Sequence, residues 1–376
     1  MLIRGGGVRL SFFYIGLGLL PLLAWGKTNQ PFYEDPFDLA SGGASLTWAT
    51  QEGILISNPA LLPYGGTLFR WAGEKTTVSA GKDSIAIAQK MANGTNVTKD
   101  TPSTQALLDT LFDSPVHVGL SQALSLITNN GGFAAVTTQE PDVRAWKYGD
   151  PETGAGTPTV QIHGESYTGG IGSLAAHIEG LPLSLGVSAK YVLVKDFRSS
   201  LELVDPQAVQ QFSDTFSSMV RPSGFGRGMG LDAGSLLFLQ GSAVDFRLAS
   251  TVTNIGGVAL QGSTTPASLP QYMSAGAGIT FHNELDALHL AVDVRDLTNV
   301  YHDPTFKRIY AGAKLLLRRY IGLGVGLYQG HISYGGEIDL WIFRLAANSY
   351  TREYGNAPGV DPRPIYSISL SIGITL

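Results

Sequence analysis

Residues 366–376 alternate without interruption between apolar and small or polar side chains. The apolar positions are Tyr366, Ile368, Leu370, Ile372, Ile374 and Leu376, and the positions between them are Ser367, Ser369, Ser371, Gly373 and Thr375. A period of two puts each set on one face of a β-strand. In a soluble protein such an uncharged strand is prone to aggregation unless its edges are covered. In a bacterial outer-membrane barrel it fits as the closing strand, with its apolar face in lipid and its small residues toward the lumen.

The same alternation recurs along the chain in stretches of five to eleven residues, the longest of which reach the roughly nine to eleven that a tilted strand needs to cross a bilayer. Alternating stretches lie at 183–193, 244–252, 288–294, 309–317, 321–327 and 338–342. Turn signals separate them at 129–132, at Gly241-Ser242 and at Gly335-Gly336. The sequence therefore predicts an all-β fold: a single transmembrane antiparallel β-barrel of about 14 strands, since bacterial barrels have even strand numbers.

The first 26 residues have the features of a secretory signal peptide. Arg4 and Arg9 supply positive charge, residues 11–23 form an apolar core, and Ala24-Trp25-Gly26 resembles a cleavage site. The apolar core is shorter than the roughly 20 residues that a membrane-spanning helix needs. The chain contains no cysteine, which excludes both lipidation at a signal-peptide cysteine and a disulfide framework. We expect residues 1–26 to be cleaved on export.

Composition and net charge limit where in the cell the protein is expected and which partners it is expected to bind. Charged residues make up 15% of the chain, against about 25% in average soluble domains. The formal net charge of −5 argues against a nucleic-acid-binding protein. An exported chain built of lipid-compatible strands is expected in the outer membrane of a Gram-negative-type bacterium. Its expected partners are outer-membrane lipid and the barrel-assembly machinery, with hydrophobic small molecules or secreted proteins as further candidates.

No catalytic constellation is present in the sequence. It contains no Gly-x-Ser-x-Gly elbow, no His-Glu-x-x-His motif and no P-loop. The seven histidines are scattered without the spacing of metal ligands. We therefore expect neither an enzyme nor a cofactor or metal site.

Eight charged residues lie at positions that alternate with the apolar residues of their predicted strands, and so on the face predicted to point into the lumen. They are Lys190, Asp245, Arg247, Asp293, Arg295, Lys314, Glu337 and Asp339. One interpretation is a polar conduit or gating network in the lumen. The other is a set of ion pairs that fills the barrel, because a charge on the lipid face would cost about 2–4 kcal/mol. We favour ion pairs, which are the usual way in which such charges are accommodated.

Three segments depart from the alternation. Asp205-Pro206 is typical of a helix start and precedes a helical stripe that reaches residue 220. A second helix is predicted at 101–112. Either helix could cap the barrel mouth, capture apolar ligands or touch lipid, but packing on the barrel rim is the favoured interpretation. Residues 142–158 are rich in proline, glycine and charge and are expected to form a loop.

Several short motifs resemble those of the long-chain fatty-acid transporter (FadL) family and its PorV-like relatives. Residues 38–46 read Asp-Leu-Ala-Ser-Gly-Gly-Ala-Ser-Leu, and Asn58-Pro59-Ala60 follows them. Further similar pieces lie at 228–234, 253–257, 269–272 and 347–355. The resemblance thus spans nearly the whole chain after the signal peptide.

The resemblance implies a 14-stranded barrel at 67–376 whose N-terminal segment, residues 27–66, folds inside the lumen as a hatch. It places Asn58, Pro59 and Ala60 within that hatch as gating residues. In transporting members the hatch guards a route for hydrophobic molecules, which implies passive uptake of compounds such as long-chain fatty acids. The alternative is a non-transporting PorV-like barrel that anchors or shuttles secreted proteins. An apolar cavity beside the hatch would favour uptake, whereas a lumen packed by charged residues would favour anchoring.

Overall fold

The computed structural model describes residues 32–50, 52–65, 69–82, 84, 112, 116–146, 158–202, 224–262, 268–318 and 320–375. The predicted signal peptide at 1–26 lies outside these residues, as does the predicted helix at 205–220. The predicted helix at 101–112 also lies outside them, except for Phe112. Within the described residues, no helix is both long enough and apolar enough to cross a bilayer.

Fourteen long strands form the wall within the part of the chain that the structure describes. They are β1 (Phe69–Gly81), β2 (Val116–Thr128), β3 (Gly131–Trp146), β4 (Thr159–His177), β5 (Leu183–Glu202), β6 (Gly224–Leu239), β7 (Val244–Thr253), β11 (Tyr272–His282), β12 (Ala287–Val294), β13 (Ile309–Leu317), β14 (Ile321–Tyr328), β15 (His331–Leu340), β16 (Phe343–Glu353) and β17 (Pro362–Thr375). The short strands β8 (Val258–Ala259), β9 (Gln261–Gly262) and β10 (Ser268–Leu269) lie between β7 and β11. The predicted strand number is confirmed.

The wall is a closed antiparallel barrel. Each long strand pairs with its neighbours in the chain, and β17 returns to pair with β1, so that Thr76 stands opposite Leu370. Closure leaves no free strand edge in the wall, which is what a sheet in lipid requires because every backbone group must find a partner. The predicted all-β barrel fold is therefore confirmed.

The two faces of the wall differ as the alternation predicts. Leu370 is 46% exposed on the outer face of β17, whereas the neighbouring Ser369 is buried in the interior. Val187 and Leu323 are likewise exposed on β5 and β14, and Ser188 is buried between Val187 and Ala189. An apolar exterior over a polar interior is the arrangement that a lipid-embedded barrel needs.

The connections divide the barrel into two ends. At one end they are short, at 129–130, 178–182, 240–243, 283–286, 318–320 and 341–342. At the other end most are longer, and one carries the short helix α3 (Thr305–Arg308). We name these the short-turn end and the long-loop end. In bacterial barrels short turns face the periplasm and longer loops face the outside.

Two local expectations were wrong. Gly335-Gly336 lies within β15 and is not a turn. A Cβ atom added to Gly335 would lie 2.3 Å from the carbonyl oxygen of Ala347, so glycine serves close strand packing there. Residues 142–146 of the predicted loop belong to β3, which carries Pro141 and still pairs with β4 along its full length.

Residues 32–65, described except for residue 51, lie inside the barrel and are named the lumenal segment. It contains α1 (Pro36–Ala40), α2 (Glu52–Ser57) and a 3-10 helix (Pro59–Tyr64). Helix α1 packs against β14 to β17, whereas the 3-10 helix packs against β4 to β6 on the other side of the lumen. Asp35 begins α1 by accepting a hydrogen bond from the Phe37 amide at 2.9 Å, and Pro36 occupies the first helical position.

Candidate functional site

Three ion pairs hold the start of the lumenal segment to three different places on the wall. Glu34 pairs with Arg295, which directly follows β12, at 3.1 Å, and Asp38 pairs with Lys314 of β13 at 2.5 Å. Asp35 pairs with Lys75 of β1. All six side chains are at most 12% exposed. Separating a buried ion pair leaves each charge without a partner in a poorly solvated site, which is energetically costly. The three pairs therefore resist displacement of the segment.

Asp35 is held in its ionised form. Burial by itself would raise its pKa, but the Lys75 ammonium group and the Phe37 amide donate to the carboxylate and hold its pKa below the usual range. The carboxylate therefore stays charged at neutral pH, and the contact with β1 persists there.

Four of the eight predicted lumenal charges contact the lumenal segment. Besides Arg295 and Lys314, Arg247 donates to the carbonyl oxygen of Thr47 at 3.2 Å. Asp293 accepts hydrogen bonds from the backbone amides of Ser45 at 2.7 Å and Leu46 at 2.9 Å. These wall charges bind the backbone and side chains of the segment instead of pairing with one another.

Lys190 and Asp245, two of the remaining predicted charges, contact other wall residues. Lys190 donates to both carboxylate oxygens of Asp232 at 2.8 Å. Asp245 lies 3.3 Å from His282.

The last two predicted charges share one partner. Glu337 and Asp339 both face Arg344, at 3.7 Å and 2.7 Å. Among the described residues the eight charges thus form separate local contacts, several of which are ion pairs.

Asn58, Pro59 and Ala60 dock the lumenal segment on β5 and β6. The Asn58 amide group donates to the carbonyl oxygens of Leu46 at 3.0 Å and Ser235 at 3.3 Å. Its side-chain oxygen accepts from the Ala60 amide at 3.1 Å and begins the 3-10 helix. Opposite Pro59 and Ala60 stands Gly186, where an added Cβ would lie 2.6 Å from the Ala60 nitrogen. The motif thus fixes position, and its gating role stays a prediction.

Apolar side chains join the segment to one side of the wall, in a region named the apolar seam. From the segment come Tyr33, Leu46, Ala49, Ile54, Leu55, Ala60, Leu61 and Leu62. From the wall come Ala123, Ile127, Ala134, Val136, Ile171, Ala175, Leu236 and Ala249. Inward-facing apolar residues depart from the polar interior that is common in barrels. Each partner here buries the apolar surface of the other.

The opposite side of the lumen is aromatic and charged. Tyr310, Tyr328 and Tyr350 pack edge to face, with ring centroids 5.4 Å apart at each contact. The Tyr328 hydroxyl donates to Glu34 at 2.9 Å, and the Arg295 guanidinium lies 4.3 Å from the centre of the Tyr310 ring. The lumenal segment therefore has one apolar contact surface and one polar contact surface.

Two small pockets border the lumenal segment. One lies between the segment and β7, β11 and Arg295, and the other lies between the segment and β1 to β4, β16 and β17. Hydroxyl and carboxylate groups contribute much of both linings, and each has a cavity volume of about 40 Å³. A cavity of about 150 Å³ can hold benzene in another protein, so neither pocket admits an aromatic ring unless the segment moves.

Sequence reasoning missed the carboxylates Glu34, Asp35 and Asp38 and their partner Lys75. Asp35-Pro36 is a helix-start signal of the same kind as Asp205-Pro206, and it could have pointed to α1. The sequence pattern did not identify Lys75 as a lumenal residue, because a β-bulge between Ala72 and Glu74 interrupts the alternation of β1.

No family model and no curated protein matches the chain. Among solved structures, the chain is similar to the toluene transporter TbuX of Ralstonia pickettii, with a TM-score of 0.52 and 13% identity over 91% of this chain and 98% of that one. It is also similar to the toluene transporter TodX of Pseudomonas putida, with a TM-score of 0.50 and 10% identity over 92% and 99% of the two chains. The 14-stranded barrel that the FadL resemblance implies is thereby confirmed, and the role of the lumenal segment as a hatch stays a prediction.

Proposed function

We propose that this chain is an outer-membrane channel for the passive uptake of small hydrophobic molecules, with the lumenal segment as its movable hatch. After export and removal of residues 1–26, the barrel inserts with its long-loop end outside. Passage of a hydrophobic molecule requires the lumenal segment to move away from the wall, because the two small pockets beside it are too small for an aromatic ring.

The apolar seam is the observation that carries this proposal. Val136 and Ile171 face the lumen and are 3% and 1% exposed while the segment covers them. Displacement of the segment would uncover a continuous apolar strip on the inner wall. A hydrophobic solute gains about 25 cal/mol per Å² of apolar surface that it removes from water on such a strip. A small polar solute gains no comparable free energy from the apolar strip, so the strip selects for apolar cargo.

Monoaromatic hydrocarbons are the first cargo to test. Two similar structures of TM-score 0.50 and above are described as toluene transporters. Long-chain fatty acids, which the family resemblance implies, are the second cargo. Their length would require the seam to open along more of the barrel axis, whereas one aromatic ring needs only a local displacement.

Toluene flux into proteoliposomes with lipopolysaccharide in the outer leaflet tests the proposal, because toluene crosses a plain phospholipid bilayer without a protein. The barrel should raise the flux above that of protein-free vesicles and should discriminate against a polar solute of similar size. Ile171→Ser in the seam should lower the flux about tenfold, because the solute loses apolar contact equivalent to nearly two methylene groups.

Ile365→Ser is the matched control. Ile365 is also fully buried on the inner face, but it lies among the tyrosines on the opposite side of the lumen. Its flux should stay near that of the wild type. Equal loss in both variants, each shown to be folded by its resistance to unfolding in detergent, would contradict a route along the seam.

A barrel that anchors or shuttles secreted proteins is the second candidate. The small pockets and the ion pairs of Glu34, Asp35 and Asp38 favour it, because they make a closely packed lumen. In that case toluene flux would equal that of protein-free vesicles. Affinity capture of the folded barrel from outer membranes would then recover a secreted protein.

A further inference from the structure

A row of polar side chains crosses the outer face of four neighbouring strands. Thr76, Gln122, Thr137 and Thr168 stand directly opposite one another in the register of β1, β2, β3 and β4, and Glu74 and Gln139 flank them. These six residues are named the polar row. The row ends at leucines on both sides, since Leu370 of β17 pairs with Thr76 and Leu193 of β5 pairs with Thr168.

The polar row faces outward. Its neighbours in sequence point into the lumen: Lys75 binds Asp35, Ser121 and Thr138 line a pocket, and Tyr167 packs on Phe32. Glu74, Gln122, Gln139 and Thr168 are exposed. Glu74 faces outward because the bulge in β1 shifts the alternation by one residue, so that Trp71 and Glu74 both lie on the outer face.

Apolar residues lie above and below the row on the same face. Leu124 and Leu126 are 46% and 41% exposed toward the short-turn end, and Val78 and Leu120 are 54% and 40% exposed toward the long-loop end. The row therefore lies within the apolar belt, where lipid tails offer no hydrogen bonds. A polar or ionisable group at that depth is costly unless it finds a partner.

Contacts within the chain satisfy only part of the row. The hydroxyls of Thr137 and Thr168 share a hydrogen bond of 2.9 Å, and Thr76 donates to Glu74 at 3.2 Å. Within the described part of the chain, the Gln122 and Gln139 side chains make no hydrogen bond. Two amide groups and most of one carboxylate are thus left facing lipid.

We propose that the polar row is the interface through which a second copy of this chain docks within the membrane. The Glu74 side chain offers carboxyl oxygens that accept hydrogen bonds, and Gln122, Gln139 and the threonines can donate them. One surface therefore carries both halves of a complementary set, as a two-fold symmetric interface requires. Polar side chains of this kind associate membrane-embedded segments because lipid cannot replace their hydrogen bonds.

A two-fold axis along the membrane normal fits the row. Such an axis keeps every residue at its own depth, so the row of one copy meets the row of the other. With the axis between β2 and β3, β1 of one copy faces β4 of the second copy, and Glu74 then lies near Thr168 of that copy. Gly172 on the outer face of β4 has no atom within 4 Å of an added Cβ, which leaves room for close approach.

Cysteine cross-linking tests this interface, since the chain has no cysteine of its own. Leu124→Cys lies beside the row near the expected axis and leaves the row intact. Val325→Cys, on the outer face of β14 and 53% exposed, is the matched control. Oxidation in proteoliposomes should yield on the order of tenfold more disulfide-linked dimer for Leu124→Cys than for Val325→Cys, because only Leu124 lies at the proposed contact.

An apolar version of the row completes the test. Glu74→Leu, Thr76→Val, Gln122→Leu, Thr137→Val, Gln139→Leu and Thr168→Val together suit a lipid-facing surface, and they should abolish the Leu124→Cys cross-link. Light scattering in lipid nanodiscs should give a dimer for the wild type and a monomer for this variant. Equal cross-linking at Leu124 and Val325, or a monomeric wild type, would overturn the proposal. Cross-linking to a different protein in native membranes, with none in proteoliposomes, would also overturn it.

Discussion

At the scale of single residues, Asn58 joins parts of the molecule that are far apart in sequence. Its side chain binds Leu46 and Ala60 within the lumenal segment and Ser235 in β6. Asn58→Ala should destabilise the docked segment by about 2 kcal/mol, because buried backbone groups lose their partners. Asn58→Asp should cost at least as much, since a carboxylate would face two carbonyl oxygens. Hydrogen exchange of amides 41–62 should accelerate in both variants.

Asn283→Ala is the control for this residue. Asn283 also accepts hydrogen bonds through its side chain, from the amides of Leu285 and Asp286, but it lies exposed in a turn at the short-turn end. Exchange in the lumenal segment should stay at the wild-type rate in this variant. Unchanged exchange in the Asn58 variants would show that the motif does not hold the segment.

At the scale of elements, the turn after α1 is seated directly on the wall. Gly42 has a φ of +76°, and a Cβ added there would lie 2.2 Å from the carbonyl oxygen of Ala311 in β13. Gly42→Ala should lower the free energy of unfolding by about 2–4 kcal/mol, because backbone strain and a steric clash add together. Denaturant titration in detergent micelles measures this change.

Gly359 separates the two contributions. Its φ is +85°, but no atom lies within 4 Å of an added Cβ. Gly359→Ala should therefore cost only the backbone term, about 1 kcal/mol. If Gly42→Ala and Gly359→Ala cost the same, the turn after α1 does not press against β13.

The alternation predicted the wall well but predicted little of what fills it. Leu370 and Lys190 lie on the faces that period two assigns to them, because lipid and lumen impose opposite chemistry on adjacent residues. The lumenal segment has no such period, so the pairing of Asp35 with Lys75 could not be read from spacing. That pair depends on how the segment folds back inside a closed barrel.

Glycine illustrates the same limit inside the wall. Gly335-Gly336 resembles a turn signal, yet it serves close packing within β15. Turn chemistry and close strand packing both favour glycine, and only the register of β15 with β16 distinguishes them.

At the scale of the whole molecule, the barrel combines a rigid closed wall with an interior segment held by two kinds of contact. Ion pairs fix its start to β1, to β13 and to Arg295 directly after β12, and the apolar seam fixes the rest to the opposite wall. Under the proposed function, uptake of a hydrophobic molecule would require the apolar seam to open. The seam is the weaker restraint in the presence of cargo, because an apolar solute can replace the apolar side chains that it displaces.

A reversible disulfide tests this account most directly. An added Cβ on Gly186 of β5 would lie 3.0 Å from the Pro59 Cβ, so Pro59→Cys with Gly186→Cys, beside Ala60 of the apolar seam, needs a shift of about 0.8 Å to reach the usual separation of about 3.8 Å. Toluene flux through the oxidised variant should fall to that of protein-free vesicles and should return to the wild-type value on reduction, with each single cysteine variant unaffected by oxidant. Wild-type flux through the fully oxidised variant would contradict the claim that the lumenal segment must move.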